Sequence, residues 1–268
     1  MLTPTEPPAR PAITQQSTPQ RLPRTVDLRD RFAAYGLEPR AQGKRGTCSL
    51  FAMIGVLEYE SAKDRPEKQP RLSPDYLNWA SHRTNDRTQD GSFFSDALNG
   101  IERYGVCRED LMPYADDYEP HAAPPATAVA EARARKRVTG RWIKEWDVKT
   151  GLTATQLSAI RQALAEGHPV AVGLRWPKHA HFDDQNVMNQ PSPDEVFDGH
   201  SIVLVGYRDD PSAPGGGVFL FRNSAGPTWR EGGYARFSYA YALAYANDAL
   251  TLQVEDVGQK PKPESPNP

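Results

Sequence analysis

Apolar residues at helical spacing dominate the first half of the chain. From Cys48 to about Asp64 they recur every three or four positions, which predicts a buried helix. The pair Ser73–Pro74 is typical of a helix start, with serine as the cap and proline in the first turn. The run Phe94–Tyr104 ends at Gly105, as helices often do. We therefore predict a helical lobe over about residues 40–130.

The second half changes to short runs of β-branched and aromatic residues bounded by glycine and proline, which is typical of strands. These runs lie at residues 170–174, 201–207, 217–222 and 233–237, with a further candidate strand at 141–146. A short helix is predicted at 155–166. The order of elements indicates an α+β fold, in which a mainly β lobe at about 140–250 follows the helical lobe.

Both ends of the chain are rich in proline and poor in large apolar residues. Such segments cannot bury enough surface to offset the entropy lost on ordering. We therefore predict that residues 1–24 are disordered or lie across the surface of the protein, and that the tail 254–268 is disordered. The folded domain is then expected to span residues 25–253.

Composition and charge exclude several classes of protein. Lysine and arginine number 32 against 34 aspartate and glutamate, and a net charge of −2 gives no field that would attract nucleic acid. No apolar run is long enough for a membrane span, and the N-terminus lacks the pattern of a secretory signal. With only two cysteines, a disulfide framework is excluded. We expect a cytoplasmic protein, or one delivered outside the cell without a cleavable signal peptide.

Cys48 is the first candidate for chemistry, because it stands where the glycine-rich stretch Gly43–Thr47 runs into the predicted helix. A helix N-terminus lowers the pKa of a thiol, and the glycines let a substrate approach the backbone. A lone cysteine at such a place is more often a small core residue. The assignment therefore depends on the partners that the rest of the chain supplies.

His200 and Asn223 are the candidate partners, since His200 opens one predicted strand and Asn223 follows the next. Neighbouring strand ends can bring an imidazole and an amide together, and the amide then fixes the tautomer and orientation of the ring. The order Cys, His, Asn, each at the boundary of an element, favours a catalytic set over three structural residues. The nearby polar run at 179–184 matches no strong metal-ligand spacing, so no metal and no cofactor is predicted.

The segment Gln42–Ala52 resembles the nucleophile loop of the papain family of cysteine peptidases. Gly199–Tyr207 and Asn223–Tyr234 are similar to the histidine and asparagine segments of that family. The likeness covers roughly residues 25–250, in the style of bacterial members. It implies a papain-like two-lobe fold, with a helical lobe, an antiparallel β-barrel-like lobe and the active-site cleft between them.

The resemblance also implies roles for single residues. Cys48 is the nucleophile, His200 the general base and acid, and Asn223 holds the imidazole. The side-chain amide of Gln42 completes the oxyanion hole with the backbone N–H of the cysteine. The pair Gly91 and Ser92 matches the stretch whose backbone binds the substrate chain. The implied activity is that of a cysteine-type endopeptidase acting through a thioester.

Three positions depart from the family pattern. Arg45 replaces a cysteine three positions before the nucleophile, so the usual nearby disulfide is not expected. Ser49 replaces the tryptophan that normally follows the nucleophile. Ala225 replaces a tryptophan that shields the bond between histidine and asparagine from water, and this predicts a more solvated bond here.

Other functions stay open at this point. A cysteine acyltransferase or a deamidase would use the same residues on one protein partner, and a non-catalytic papain-fold binding module is the third possibility. The expected partners are a protein or peptide substrate and an inhibitory or immunity protein, but no nucleic acid. About 25 residues precede the enzyme-like body, too few for the large pro-region common in the family. Restraint by the N-terminal segment lying across the cleft is the alternative to an inhibitory partner.

Overall fold

A computed structural model describes residues 21–63, 70–85, 87–120, 122–134 and 137–255. The prediction of disorder at both ends falls almost entirely outside the described residues. The helices are α1 (Arg29–Ala34), α2 (Cys48–Ala62), α3 (Pro74–His82), α4 (Phe94–Tyr104), α5 (Ala126–Arg133), α6 (Ala154–Ala165) and α7 (Tyr239–Tyr245). The strands are β1 (Thr25–Asp27), β2 (Arg137–Lys144), β3 (Val170–Pro177), β4 (Val187–Met188), β5 (Val196–Asp209), β6 (Gly217–Arg222), β7 (Tyr234–Ser238) and β8 (Ala246–Glu255).

The predicted helices of the first half are confirmed, and their ends follow the local chemistry. Almost every residue of α2 is buried, as expected of a helix that is surrounded by the fold. Ser73 caps α3, because its hydroxyl accepts the backbone N–H of Tyr76 at 3.0 Å. Gly105 ends α4 at a φ of 71°, a backbone conformation that glycine adopts without steric penalty.

The strands form one eight-stranded sheet in the order β2-β8-β3-β5-β6-β7-β4, with β1 added at one end of β5. All pairs are antiparallel except the short parallel pair of β4 and β7. The central strands β3 and β5 pair over nearly their full length, with Leu174 opposite His200 and Gly173 opposite Ser201. This register fixes which side chains meet on the face of the sheet beside the helices.

The α+β, papain-like arrangement is confirmed, but the expectation of a barrel-like β lobe is corrected. A barrel closes only if its first and last strands pair. Here β2 and β4 lie at opposite ends of the strand order, and β4 is two residues long. Within the described part of the chain the sheet is therefore open, and all but one of its strand pairs are antiparallel.

Helix α2 joins the two halves of the molecule. It packs against α3 and α4 on the helical side and against β3, β5 and β8 of the sheet. Its interior residues, such as Leu50, Met53 and Ile54, are fully buried between them. The N-terminus of α2 consequently reaches the line where the helical part meets the sheet, and this line carries the candidate site.

Candidate active site

Cys48 is the first residue of α2 and is half-buried. Burial raises the pKa of its thiol, but a hydrogen bond with His200, the charge of that ring and hydrogen bonds with Ser201 together lower it. The net pKa lies below the ordinary value of a thiol. At neutral pH, a larger fraction of Cys48 is therefore thiolate than of an ordinary cysteine. The thiolate is the form that attacks carbonyl groups.

His200 lies inside β5, which begins at Val196 and not at the histidine as predicted, and Asn223 follows directly after the end of β6, as predicted. The His200 Nε2 atom is 2.8 Å from the Asn223 Oδ1 atom. The backbone N–H of Ser224 donates to the same Oδ1 at 2.9 Å, which supports its assignment as the amide oxygen. Because that oxygen only accepts, Nε2 carries a hydrogen, and Nδ1 is the ring nitrogen left to exchange a proton with the thiol.

Gln42 ties the loop before Cys48 to the segment that carries Asn223. Its backbone N–H donates to the Ser224 carbonyl at 2.8 Å, and its side-chain oxygen accepts from the Ser224 hydroxyl. Its Nε2 donates one hydrogen to the Arg45 carbonyl at 2.8 Å. A side-chain amide has two N–H groups, so this contact uses one of the two.

A cleft opens beside Cys48 and His200 between the helical part and the sheet. The residues lining it on the two sides are Gly46, Cys48, Ser49, Ser92, Phe93, Phe94, Trp146, Gly173, Leu174, Gly199, His200, Ser201, Asn247 and Asp248. Of the predicted catalytic residues, the structure brings Cys48 and His200 to this surface. Asn223 and Gln42 lie outside its lining.

Only one residue of the predicted substrate-binding pair, Gly91 and Ser92, lies in the cleft. Ser92 lines the cleft, but Gly91 does not. The backbone N–H of Gly91 donates to the side chain of Asn78 at 3.2 Å, and its carbonyl is 3.0 Å from the Nε2 atom of His82. A Cβ atom on Gly91 would lie 2.0 Å from the Gly46 carbonyl oxygen, so glycine permits the close approach of two loops.

Arg45 and Ser49, two departures from the family pattern, both bind the loop at residues 90–92. The guanidinium of Arg45 donates to both carboxylate oxygens of Asp90 at 2.9 Å and forms an ion pair with Asp75 at 2.6 Å. The hydroxyl of Ser49 donates to the Ser92 carbonyl. These contacts connect the segment before the nucleophile to the loop that borders the cleft.

The third departure, Ala225, has a counterpart that the sequence analysis missed. The indole of Trp176, near the end of β3, packs edge-on against the imidazole of His200, with ring centroids 4.7 Å apart. It also contacts Phe221 of β6. An aromatic ring thus reaches His200 from a different strand. Only the pairing of β3 with β5 makes it a neighbour, and no local motif contains that information.

Three further observations describe the surroundings of the site. Within the part of the chain that the structure describes, no three His, Cys, Asp or Glu side chains gather in a group that could hold a metal ion. No helix among these residues is long and apolar enough to cross a membrane. Neither Cys48 nor Cys107 is in a disulfide, and Cys107 is buried.

Comparison with known proteins identifies the family of the chain. The sequence profile described as papain family cysteine protease matches residues 22–250. A peptidase C1-like protein of Acanthamoeba polyphaga mimivirus is 25% identical over 206 residues, which are 75% of this chain and 64% of that protein. Cathepsin L of Sarcophaga peregrina is 27% identical, covering 81% of this chain and 59% of that protein. The chain thus spans less than two thirds of the length of these two relatives.

Solved structures with the same fold include bacterial proteins. Xylellain, a cysteine protease from Xylella fastidiosa, matches with a TM-score of 0.69 and 21% identity over 88% of both chains. The clostridial cysteine protease Cwp84 matches with a TM-score of 0.65 and 18% identity, over 87% of this chain and 58% of the other. At these identities the structures show the shared fold, while the profile covers most of the sequence. The chain therefore belongs to the papain family of cysteine proteases.

Proposed function

We propose that this protein is a cysteine peptidase that hydrolyses peptide bonds of a protein substrate through a thioester on Cys48. The observation that carries the proposal is one chain of contacts. The thiol at the start of α2 is hydrogen-bonded to His200, whose other ring nitrogen is 2.8 Å from the Asn223 amide oxygen. A thiol, a base and a group that orients the base are the parts that this chemistry requires.

In the first half of the reaction, the Cys48 thiolate attacks the carbonyl carbon of the peptide bond. The carbonyl oxygen becomes an oxyanion, which the backbone N–H of Cys48 and the second N–H of Gln42 stabilise. His200 then gives its proton to the nitrogen of the leaving amine. The carbon–nitrogen bond breaks, the amine product departs, and the acyl group remains on sulfur as a thioester.

In the second half, water attacks the thioester carbon and gives a proton to His200. The carbon–sulfur bond breaks, the carboxylic acid product departs, and the thiolate is regenerated beside the imidazolium. Asn223 keeps the ring in the orientation that serves both steps, because its oxygen accepts the Nε2 hydrogen throughout. Trp176 packs against the same ring and supports its position, with ring centroids 4.7 Å apart.

The test compares the full chain with Cys48→Ala on a library of peptides derived from a proteome. We expect cleavage by the wild-type protein and a loss of at least about 10³-fold in kcat/KM for the variant, because the nucleophile is absent. The variant Cys107→Ala is the control, since Cys107 is buried away from the cleft. Equal cleavage by wild type and Cys48→Ala would contradict the proposal.

Alkylation by iodoacetamide supplies a second measurement on the same proteins. The lowered pKa of Cys48 predicts rapid alkylation at pH 7, where an ordinary thiol is mostly protonated. In His200→Ala the rate should fall at pH 7 and recover only at more alkaline pH. A protein that is alkylated in this way and releases ammonia or transfers acyl groups, but cuts no peptide, would instead be a deamidase or an acyltransferase.

A further inference from the structure

One carboxylate in the cleft has no part in the mechanism described above. Asp248 lies in β8, directly opposite Gly173 of β3, and Gly173 in turn lies opposite Ser201 of β5. Residues that face each other across antiparallel strands project from the same face of the sheet. Ser201, Gly173 and Asp248 therefore form one row across three strands, one position along β5 from His200, and all three line the cleft.

Gly173 leaves the room that the carboxylate occupies. A Cβ atom at Gly173 would lie 2.1 Å from the Oδ1 atom of Asp248, so any larger residue would displace it. Two strand spacings of about 4.8 Å place the Asp248 backbone roughly 10 Å from that of Ser201. A long substrate side chain near the bond to be cut can span this distance along the face of the sheet.

Burial governs the protonation of Asp248. Asp248 is 4% exposed, and it is the only carboxylate among the described residues that line the cleft. Burial raises its pKa to about 6, while a hydrogen bond from the Gly173 N–H and the charge of Lys144 act in the opposite direction. The Lys144 amine itself donates to the backbone carbonyls of Asp147 and Asn247.

A second acceptor lies beside this carboxylate. Asn247 is 7% exposed and also lines the cleft. Its Oδ1 atom is buried and has no hydrogen-bond partner among the described residues. Buried polar atoms are normally paired, so a donor that arrives with a ligand would satisfy this oxygen. The lining of the cleft thus contains one anionic and one neutral acceptor, from two successive residues of β8.

Aromatic rings form the outer part of the same cleft. Trp146 is 52% exposed and Phe93 is 37% exposed, and their ring centroids lie 5.5 Å apart. Both rings line the cleft together with Asp248. A guanidinium group is planar, carries five N–H donors and stacks on aromatic rings, whereas an ammonium group is a compact and strongly hydrated charge. The combination therefore suits arginine better than lysine.

We propose that this part of the cleft is a specificity pocket for a basic side chain of the substrate, arginine before lysine, with Asp248 as the residue that selects it. The proposal rests on the peptidase activity proposed above and names the class of substrate. The guanidinium donates to the Asp248 carboxylate and to the Asn247 amide oxygen, and its aliphatic stem lies along Trp146. A substrate with an acidic side chain at the same position is rejected, because it would bring two carboxylates together.

The first experiment uses the wild-type protein alone. Peptides carry arginine, lysine, leucine or citrulline at each position in turn on both sides of the cleaved bond. Citrulline has the shape of arginine without its charge. At one position we expect kcat/KM for arginine to exceed that for citrulline by about 10- to 100-fold, the range of a hydrogen bond to a charged group. Lysine should fall between them.

Variants then connect the preference to the residue. In Asp248→Asn and in Asp248→Ser, kcat/KM for the arginine peptide should exceed that for the citrulline peptide by about threefold or less. The reason is that the charge that pairs with the guanidinium is removed. Asp184→Asn is the matched control, since Asp184 is an exposed carboxylate outside the cleft, and its ratio should equal that of the wild type.

The outcomes separate this inference from the proposed function. If the wild type cuts peptides but treats citrulline as well as arginine at every position, the inference is wrong and the peptidase activity stands. If the arginine preference survives in both Asp248 variants, another residue selects the side chain and the inference is equally wrong. If no peptide is cut, both proposals fail together. Should a variant not fold, the citrulline comparison in the wild type decides alone.

Discussion

At the scale of one residue, Asp248 illustrates how a buried carboxylate lowers the stability of the folded protein. The unfolded chain ionises this carboxyl near its ordinary pKa of 3.8, whereas burial in the folded protein raises the pKa to about 6. Between these values the folded state binds more protons than the unfolded state, so its stability falls as pH rises. Above about pH 6 the full penalty is present, and below about pH 4 it is absent.

We therefore predict that Asp248→Asn is more stable than the wild type at pH 8, by about 1–3 kcal/mol, from a shift of about two pKa units at about 1.4 kcal/mol each. The difference should shrink towards zero at pH 4. Urea unfolding at pH 4, 6 and 8 measures it. The charge of Lys144 lowers the pKa of Asp248 and is already contained in the value of about 6, and Cys48 and His200 line the same cleft in both proteins.

Asp184→Asn again serves as the control for that series, with an expected difference below about 0.5 kcal/mol at each pH. A variant Asp248→Asn that was less stable than the wild type at pH 8 would contradict the prediction. So would a difference that stayed constant from pH 4 to pH 8. Either result would mean that the charged form of Asp248 is well stabilised by its surroundings.

Single residues differ in how far the sequence reveals them. Cys48, His200 and Asn223 were predicted because each lies in a local sequence motif, although His200 lies inside β5 and not at its start. Trp176 and Asp248 were not predicted, since neither lies in a motif of this kind. Trp176 reaches His200 through the pairing of β3 with β5, and Asp248 reaches the cleft through the pairing of β3 with β8. Register is set by the whole sheet, and no short stretch of sequence specifies it.

At the scale of elements, ionic and polar contacts hold the loop that precedes Cys48. Arg45 is 7% exposed and binds Asp90 through two hydrogen bonds and Asp75 through one ion pair. Its guanidinium also lies 4.5 Å from the ring centre of Tyr114. Neither cysteine of the chain is in a disulfide, so a reducing agent should not change the free energy of unfolding.

We predict that Arg45→Met lowers the free energy of unfolding by about 3–5 kcal/mol, because it leaves two poorly exposed carboxylates without their cation. Arg108→Met is the matched control. In its ion pair with Asp110, the Arg108 side chain is 41% exposed and the Asp110 side chain 66% exposed. Such a pair should contribute about 0–1 kcal/mol to the free energy of unfolding. Urea titration of the three proteins measures the difference. Equal losses in the two variants would show that the buried pair does not hold the loop.

Elements with a clear pattern and a clear end were predicted correctly, and those with neither were missed. Helix α2 has apolar spacing along its length, α3 starts at a serine cap, and α4 ends at a glycine. Strand β8 begins with Ala246-Asn247-Asp248-Ala249, whose small and polar residues break the alternation expected of a strand. Its position between β2 and β3 comes from long-range pairing. The open sheet was missed for the same reason, since closure depends on the edge strands.

At the scale of the whole molecule, the helical and β parts share one core. Helix α2 belongs to the first half of the sequence, but it packs against β3, β5 and β8 of the second half. Strand β1, near the start, pairs with β5. Arg222 at the end of β6 is buried and donates to the carbonyls of Leu37 and Glu38 at 2.6 and 2.8 Å. Neither part can separate from the other without exposing α2 and these groups.

We predict that the protein unfolds in a single cooperative transition despite its two-part architecture. Of its five tryptophans, Trp79 lies in α3, and Trp142, Trp146, Trp176 and Trp229 lie in the second half. Tryptophan fluorescence therefore reports mainly on the sheet, whereas far-UV circular dichroism reports mainly on the helices. Because both parts lose their core when α2 leaves the sheet, the two signals should give the same midpoint in urea. Two separate midpoints would mean that the helical part or the sheet holds together alone, and that the cleft between them can open without global unfolding.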